Sequence, residues 1–196
     1  SRLLHSITKE TLNKEIDRLC NLFSQGYVAQ VLNQSTELLK NFPDSVALNI
    51  IKGDASTKLH KFDAAIASYT HAIKLKPDFA VSHFNLGVAL QDKGDFESAI
   101  QSYKKAIAIK PDYLSAYYNI AVSFGKIGFV ENSVKYFLET IRLEPYHYSS
   151  WNNLLFPLHV LKNQNSNSFK NLMEKLELLT NKKAKMNLEI LKYDLS

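Results

Sequence analysis

The sequence predicts an all-α protein, an α-α superhelix of antiparallel helical hairpins with about 11 helices, including C-terminal capping helices. Prolines recur at one constant spacing, at Pro43, Pro77, Pro111 and Pro145. Between them, apolar residues follow the spacing of one helix face, as at Phe96, Ala99, Ile100 and Tyr103. A glycine between the two helices of a hairpin, such as Gly94, suits a turn with positive φ. Each proline ends a second helix, because a helix does not easily continue into proline.

The hairpins predict consecutive segments of equal length. We expect a lead-in over 1–11, in which Leu3, Leu4 and Ile7 pack on the first repeat. Four repeats follow, over 12–45, 46–79, 80–113 and 114–147. The first is atypical, as expected of a terminal repeat. In the second, His60 takes the position of the turn glycine.

The C-terminal part leaves the register of the four repeats. Residues 148–162 predict the first helix of a partial fifth repeat, with a kink or an early end at Pro157. Residues 163–196 predict capping helices with two apolar faces. These faces are lined by Phe169, Leu172, Met173, Leu176 and Leu179, and by Ala184, Leu188, Leu191 and Leu195. The alternative is that these helices bridge into a further domain.

The third repeat carries a resemblance to a known family. Its signature positions are Leu86, Gly87, Gly94, Ala99, Tyr103, Ala106 and Pro111. They resemble the tetratricopeptide repeat (TPR), whose period equals the spacing of the prolines here. The resemblance implies a TPR solenoid in which the first helices of successive repeats line a concave groove.

The amino-acid composition limits the classes of partner and the cellular location that we expect. The formal net charge is +5, but arginine, which phosphate and base readers favour, occurs only at Arg2, Arg18 and Arg142. We therefore predict no nucleic acid and, since no apolar run is long enough to span a bilayer, no membrane partner. The single cysteine, Cys20, is interpreted as a buried apolar residue and fits a cytoplasmic location. The abundance of lysine, asparagine and isoleucine suggests a bacterial source.

The sequence predicts no enzyme, no cofactor and no metal site. The six histidines do not recur at a ligand or triad spacing, and no glycine-rich phosphate loop or HExxH motif is present. His83 takes a first-helix position usually held by an aromatic residue, which favours a packing role.

The resemblance implies a set of groove residues, carried over from the helix positions that face the groove in this family. The set contains Asp54, Lys58, Phe84, Asn85, Val88, Asp92, Tyr118, Asn119, Val122, Lys126, Asn152 and Asn153. Three of these asparagines, Asn85, Asn119 and Asn153, occupy the same position of successive repeats and predict a ladder. An amide has donors and an acceptor, so it can pair with a peptide backbone of any sequence.

The ladder resembles the one in the superhelix of the O-linked N-acetylglucosamine transferase. The alternative is that asparagine is common at this position in the family and merely fits. The carboxylate clamp that grips chaperone tails needs basic residues that are absent here, where Ile50 and Ser115 stand instead. We therefore predict no such clamp.

Two functions from different classes remain open. The leading hypothesis is a non-catalytic scaffold that binds an extended peptide or a partner helix in the concave groove. The alternative is the N-terminal TPR region of a larger sulfotransferase-like or glycosyltransferase-like enzyme. The motifs Trp151-Asn152-Asn153 and Phe156-Pro157-Leu158 carry that weaker resemblance. Self-association through the stack ends is a further hypothesis.

Overall fold

A computed structural model of the chain describes residues 9–164, 167–179 and 184–195. Eleven α-helices and no strand lie within these residues, which confirms the predicted all-α fold of TPR hairpins. The helices are α1 (Lys9–Ser24), α2 (Val28–Asn41), α3 (Val46–Lys58), α4 (Phe62–Leu75), α5 (Ala80–Lys93), α6 (Phe96–Ile109), α7 (Leu114–Lys126), α8 (Val130–Leu143), α9 (Tyr148–Asn163), α10 (Asn167–Leu179) and α11 (Lys185–Leu195). Leu3, Leu4 and Ile7 lie outside the described residues.

The turns have the backbone geometry that the glycines predict. Gly26, Gly94 and Gly128 have φ values of +88°, +93° and +81°. His60 has φ of +55°, so an L side chain adopts a left-handed conformation that costs about 1–2 kcal/mol. Asp95 caps the start of α6, because its side chain accepts a hydrogen bond from the Ser98 backbone N–H at 3.1 Å.

Each repeat-ending proline also anchors the next repeat. Its carbonyl oxygen accepts a hydrogen bond from a side chain at one fixed position further along, and four different residue types act as donor. The pairs are Asn49 to Pro43 (3.2 Å), His83 to Pro77 (2.8 Å), Tyr117 to Pro111 (3.2 Å) and Trp151 to Pro145 (2.9 Å). Each bond satisfies a backbone carbonyl in the loop and connects the end of one repeat to the first helix of the next. His83 is buried, which agrees with its predicted packing role.

The chain forms two compact units, over residues 1–93 and 94–196. In the first unit, α3 packs against both α2 and α4, and α4 packs against α5. One core there contains Leu19, Val31, Leu48, Ile51 and Ala55, and another contains Ala65, Tyr69 and Ala89. In the second unit, α7, α8 and α9 pack in sequence, and their core extends into the C-terminal helices.

Cys20 lies on the exposed side of α1, so the interpretation as a buried residue is wrong. The neighbouring Leu19 fills the core with no exposed surface, and the next residue is turned about 100° around the helix.

The C-terminal segment narrows the expectation at Pro157. Helix α9 runs past Pro157 to Asn163, so of the two expected outcomes, a kink or an early end, the early end does not occur. Pro157 is buried, and so are three leucines of the same helix, Leu154, Leu158 and Leu161. Their packing offsets the missing backbone hydrogen bond. Helix α10 packs on α8, and α11 packs on α9. Across the described segments, none of the helices combines the length and the apolar character needed to cross a membrane.

Candidate functional site

The first unit contains a groove of about 620 Å³, here called the first groove. It lies against the first helices of two successive repeats, α3 and α5, and helix α1 contributes one aromatic ring. Its lining comprises Phe23, Asp54, Thr57, Lys58, His60, Tyr69, Phe84, Asn85, Val88 and Asp92. All of these residues belong to the first unit.

The second unit contains a smaller groove of about 360 Å³, here called the second groove. It lies against α7 and α9, again the first helices of successive repeats, with two residues from α8 behind them. Its lining comprises Tyr118, Val122, Gly125, Lys126, Ser133, Phe137, Asn152, Asn153, Phe156 and Pro157.

The two grooves use the same positions of the repeat. Seven lining residues of the first groove have a counterpart in the second, two repeats further along the chain. The pairs are Asp54 and Val122, Thr57 and Gly125, Lys58 and Lys126, Tyr69 and Phe137, Phe84 and Asn152, Asn85 and Asn153, and Val88 and Phe156. Only the lysine and the asparagine are kept, so one backbone arrangement presents two different chemical surfaces.

The first groove is organised by a hydrogen-bonded carboxylate. Asp54 Oδ1 accepts from the Tyr69 hydroxyl at 2.6 Å and from Asn85 Nδ2 at 2.9 Å. Thr57 Oγ1 lies 3.4 Å from the same Tyr69 hydroxyl oxygen. Tyr69 is 2% exposed, and a buried tyrosine hydroxyl needs such a partner. The bond from Asn85 connects the third repeat to the second through side chains.

The environment changes the acidity of both partners. Burial raises the pKa of Asp54 above 3.8, while the hydrogen bonds from Tyr69 and Asn85 lower it in part. Burial also raises the pKa of Tyr69, and the negative charges of Asp54 and Asp92 raise it further. Tyr69 is therefore a hydrogen-bond donor and stays uncharged at neutral pH.

Gly53 makes this arrangement possible. A Cβ atom at this position would lie 2.5 Å from Tyr69 Cε1 and 2.7 Å from Cζ, which is closer than two carbon atoms can approach. The corresponding residue of the fourth repeat is Ala121, which is buried against Phe137 in the core. The ring of Tyr69 thus sits closer to its helix pair than an alanine would allow.

The second groove has an aromatic rather than a charged centre. The Tyr118 ring contacts Phe137 and His147 edge-on, with ring centroids 5.8 Å and 5.3 Å apart. Asn153 Nδ2 donates to the Tyr118 hydroxyl at 2.8 Å. Phe156 is 74% exposed, so this groove offers a large apolar surface to solvent.

The sequence-predicted residues divide between the two grooves. Asp54, Lys58, Phe84, Asn85, Val88 and Asp92 line the first, and Tyr118, Val122, Lys126, Asn152 and Asn153 line the second. Asn119 lines neither, and its Nδ2 donates to the Tyr103 hydroxyl at 3.3 Å.

The asparagine ladder therefore remains a prediction. Asn85 belongs to the first unit, whereas Asn119 and Asn153 belong to the second. Each of the three donates one amide N–H to the protein itself.

Sequence reasoning misses the tyrosine at the centre of the first groove. The repeat pattern assigns Tyr69 to packing between helices, because the same position is aromatic in the next two repeats, at Tyr103 and Phe137. The signal that could find its second role is its hydroxyl group, which requires a polar partner when the ring is buried. No group of three or more His, Cys, Asp or Glu side chains within the described residues is arranged to bind a metal ion.

Comparison with known proteins finds a repeat-family match over part of the chain and solved structures with a similar fold. Residues 53–94 and 90–128 match the family model described as TPR repeat. No curated protein matches this chain. The solved structure of MamA residues 41 to the end, from Desulfovibrio magneticus RS-1, has a TM-score of 0.70 and 17% identity, and covers 88% of this chain and 92% of that chain.

Two further structures are similar over shorter parts. The first TPR of Spaghetti (RPAP3), bound to the HSP90 peptide SRMEEVD, has a TM-score of 0.58 and 24% identity over 60% of this chain and 93% of that chain. The Thermobaculum terrenum O-GlcNAc transferase has a TM-score of 0.65 and 21% identity over 70% of this chain and 27% of its own. With the constant register of the prolines, the family match shows tetratricopeptide repeats over residues 53–128, and the solved structures show that the chain shares their solenoid fold.

Proposed function

We propose that this chain is a non-catalytic protein-interaction scaffold whose grooves hold an extended peptide or a partner helix. The observation that carries the proposal is the clustering of the groove residues expected from the repeat. All of them except Asn119 line one of two grooves, each next to the first helices of successive repeats. Volumes of about 620 and 360 Å³ are large enough for several side chains of a bound peptide.

The lining chemistry suits a peptide. Asn85 and Asn153 each use one N–H within the protein, and an amide has a second N–H and a carbonyl oxygen for a peptide backbone. Phe84 and Phe156 add apolar surface for the peptide side chains. Backbone pairing supplies affinity, and the side-chain pockets supply specificity.

The likeness to a TPR solved with a bound peptide supports the same mode of binding in general terms. That peptide, SRMEEVD, is acidic. The first groove here contains two carboxylates, of Asp54 and Asp92, and one lysine, Lys58. We therefore expect the glutamate and aspartate side chains of SRMEEVD to be disfavoured in the first groove.

Lysine substitutions in the grooves test the proposal. Val88→Lys and Val122→Lys each place a charge and a longer side chain in one groove, and we expect each to weaken the peptides bound there about tenfold or more. Ile109→Lys is the matched control, because Ile109 is 39% exposed and lines neither groove. The measurement is fluorescence anisotropy with peptides selected from a displayed library. Equal affinity of the original chain and all three variants, or no selected peptide at all, would contradict the proposal.

The second candidate is the TPR region of a larger transferase. The partial likeness to the Thermobaculum terrenum O-GlcNAc transferase favours it, since this chain matches 27% of that enzyme. The reading frame downstream of Ser196 in the gene tests it. A transferase domain encoded in that frame would establish this candidate, and a stop codon would remove it.

A further inference from the structure

The charges of the two grooves differ although their positions correspond. Asp54 and Asp92 line the first groove together with one cation, Lys58. In the second groove the counterpart of Asp54 is Val122, and Lys126 is the charged lining residue. The first groove therefore has an excess of negative charge, and the second has an excess of positive charge.

The carboxylates of the first groove have capacity for a further donor. Asp54 accepts both of its hydrogen bonds through Oδ1, and Oδ2 can accept more. Asp92 is exposed and makes no ion pair with any residue in the described ranges. Asp92 lines the same groove as Asp54, and its negative charge contributes to the raised pKa of Tyr69.

The rest of the lining is apolar and aromatic. Phe23 comes from α1, and Phe84 and Val88 come from successive turns of α5. Lysine and arginine side chains lay their hydrocarbon stems on such surfaces and keep the charged end in a polar environment. An aromatic ring also attracts a cation over its face.

We propose that the first groove binds a lysine or arginine side chain of an extended peptide, with the stem against Phe84 and Val88 and the charged end at Asp54 and Asp92. This inference rests on the proposed peptide-binding function and adds the chemistry of the partner. The proposal rests on charge complementarity, because two carboxylates line the first groove and none lines the second.

A set of short acetylated and amidated peptides tests the proposal without interference from terminal charges. The probe is a peptide selected on the chain, whose binding is weakened by Val88→Lys. Each of its positions is replaced in turn by lysine, norleucine or glutamate. At one position we expect the order lysine, norleucine, glutamate from tightest to weakest. The advantage of lysine over norleucine should decrease as salt is raised from about 50 mM to about 500 mM.

Variants of the protein locate the charge. Asp92→Asn should weaken the lysine peptide about two- to fivefold and leave the norleucine peptide unchanged. Asp78→Asn removes the same charge from an exposed position outside the groove, and its affinity should equal that of the original chain. Lys58→Gln should strengthen binding of the lysine peptide, because it removes the competing cation.

The outcomes separate the two proposals. One outcome is that peptides bind and Val88→Lys weakens their binding, but lysine, norleucine and glutamate give equal affinity at every position. The proposal of a bound basic side chain is then overturned, and the proposal that the groove binds peptides is kept. The same conclusion follows if Asp92→Asn and Asp78→Asn bind the lysine peptide equally. If no peptide in the selection binds, both the peptide-binding function and this inference are overturned.

Discussion

The two grooves show how one pair of side chains changes a repeated site. In the first groove Tyr69 donates to Asp54, and in the second Phe137 and Val122 occupy the same two positions. The tyrosine hydroxyl needs an acceptor, and the carboxylate needs donors once it is partly buried. The polar pair is therefore self-consistent, and so is the apolar pair, while a mixture of the two would leave a polar group without a partner.

The difference extends to the backbone beneath the ring. Gly53 lies under Tyr69 with no room for a methyl group, whereas Ala121 packs normally against Phe137. The hydrogen bond to Asp54 fixes the tyrosine ring in place, and a phenylalanine ring has no such constraint. Gly53 on α3 and the Tyr69 hydroxyl on α4 therefore depend on each other.

The largest expected effect comes from Gly53→Ala. Overpacking costs about 1–3 kcal/mol, and displacement of the ring loses a charge-assisted hydrogen bond of about 1.5–3 kcal/mol. The gain in helix propensity returns about 1 kcal/mol. We expect the free energy of unfolding to fall by about 1.5–5 kcal/mol, measured by urea denaturation with circular dichroism.

Two variants control this prediction. Gly125→Ala places its Cβ 3.3 Å from Ser133 Oγ, and it should change the free energy of unfolding by less than about 1 kcal/mol. Gly53→Ala with Asp54→Val and Tyr69→Phe recreates the residues of the fourth repeat, and it should recover most of the loss. If the triple variant is as unstable as Gly53→Ala alone, the hydroxyl is not what holds the ring over the glycine.

The next effect is a coupling in the second groove. Phe137→Tyr adds a hydroxyl whose expected acceptor position is Val122, and an unpaired buried hydroxyl costs about 1–3 kcal/mol. Val122→Asp alone places a carboxylate beside apolar rings and also destabilises the fold. We expect the double variant to be more stable than the sum of the two single changes by about 1 kcal/mol, measured in a double-mutant cycle. Additive effects would show that the pair cannot be transferred between repeats.

Much of this fold can be predicted because the repeat is a local pattern. Proline spacing, apolar periodicity and the turn glycines predict the helices, and the family resemblance supplies the positions that face the groove. The side-chain bonds cannot be predicted in the same way. Whether Tyr69 or Tyr118 donates, and to which residue, depends on distances between neighbouring helices. A search for identical residues also does not find the side chains that donate to the proline carbonyls, because four different residue types occupy this position. They are Asn49, His83, Tyr117 and Trp151.

The outcome at Pro157 has a similar cause. A proline inside a helix removes one backbone hydrogen bond, and from sequence alone this predicts a kink or an early end without deciding between them. The helix continues because buried leucines on both sides of the proline pack into the core of the second unit. Tertiary packing outweighs the local cost, and its strength is not encoded within any short window.

A smaller effect separates the turns of the two units. His60 has positive φ in the second repeat, where Gly128 stands in the fourth. His60→Gly removes backbone strain but increases the freedom of the unfolded chain, so we expect a net gain of about 0.5 kcal/mol. Gly128→Ala should lose about 1 kcal/mol, and the loss reports only backbone conformation because an added Cβ meets no atom within 4 Å. Thermal and urea unfolding of both variants measure these changes, and a stabilised Gly128→Ala would contradict this expectation.

The smallest effect is a pH dependence that only the first groove should show. Burial raises the folded-state pKa of Asp54 above its unfolded value of 3.8. As the pH rises above 3.8, the unfolded chain releases this proton more readily than the folded chain, so the contribution of Asp54 to stability falls until the folded-state pKa is passed. Asp54→Asn cannot release a proton, and its amide oxygen can still accept from Tyr69 and Asn85. The free energy of unfolding of the original chain relative to Asp54→Asn should therefore decrease from pH 3.8 upward and then become constant. Asp78→Asn serves as the exposed control. If the free energy of unfolding of the original chain relative to Asp54→Asn instead rises with pH, the hydrogen bonds outweigh burial in setting the pKa of this carboxyl group.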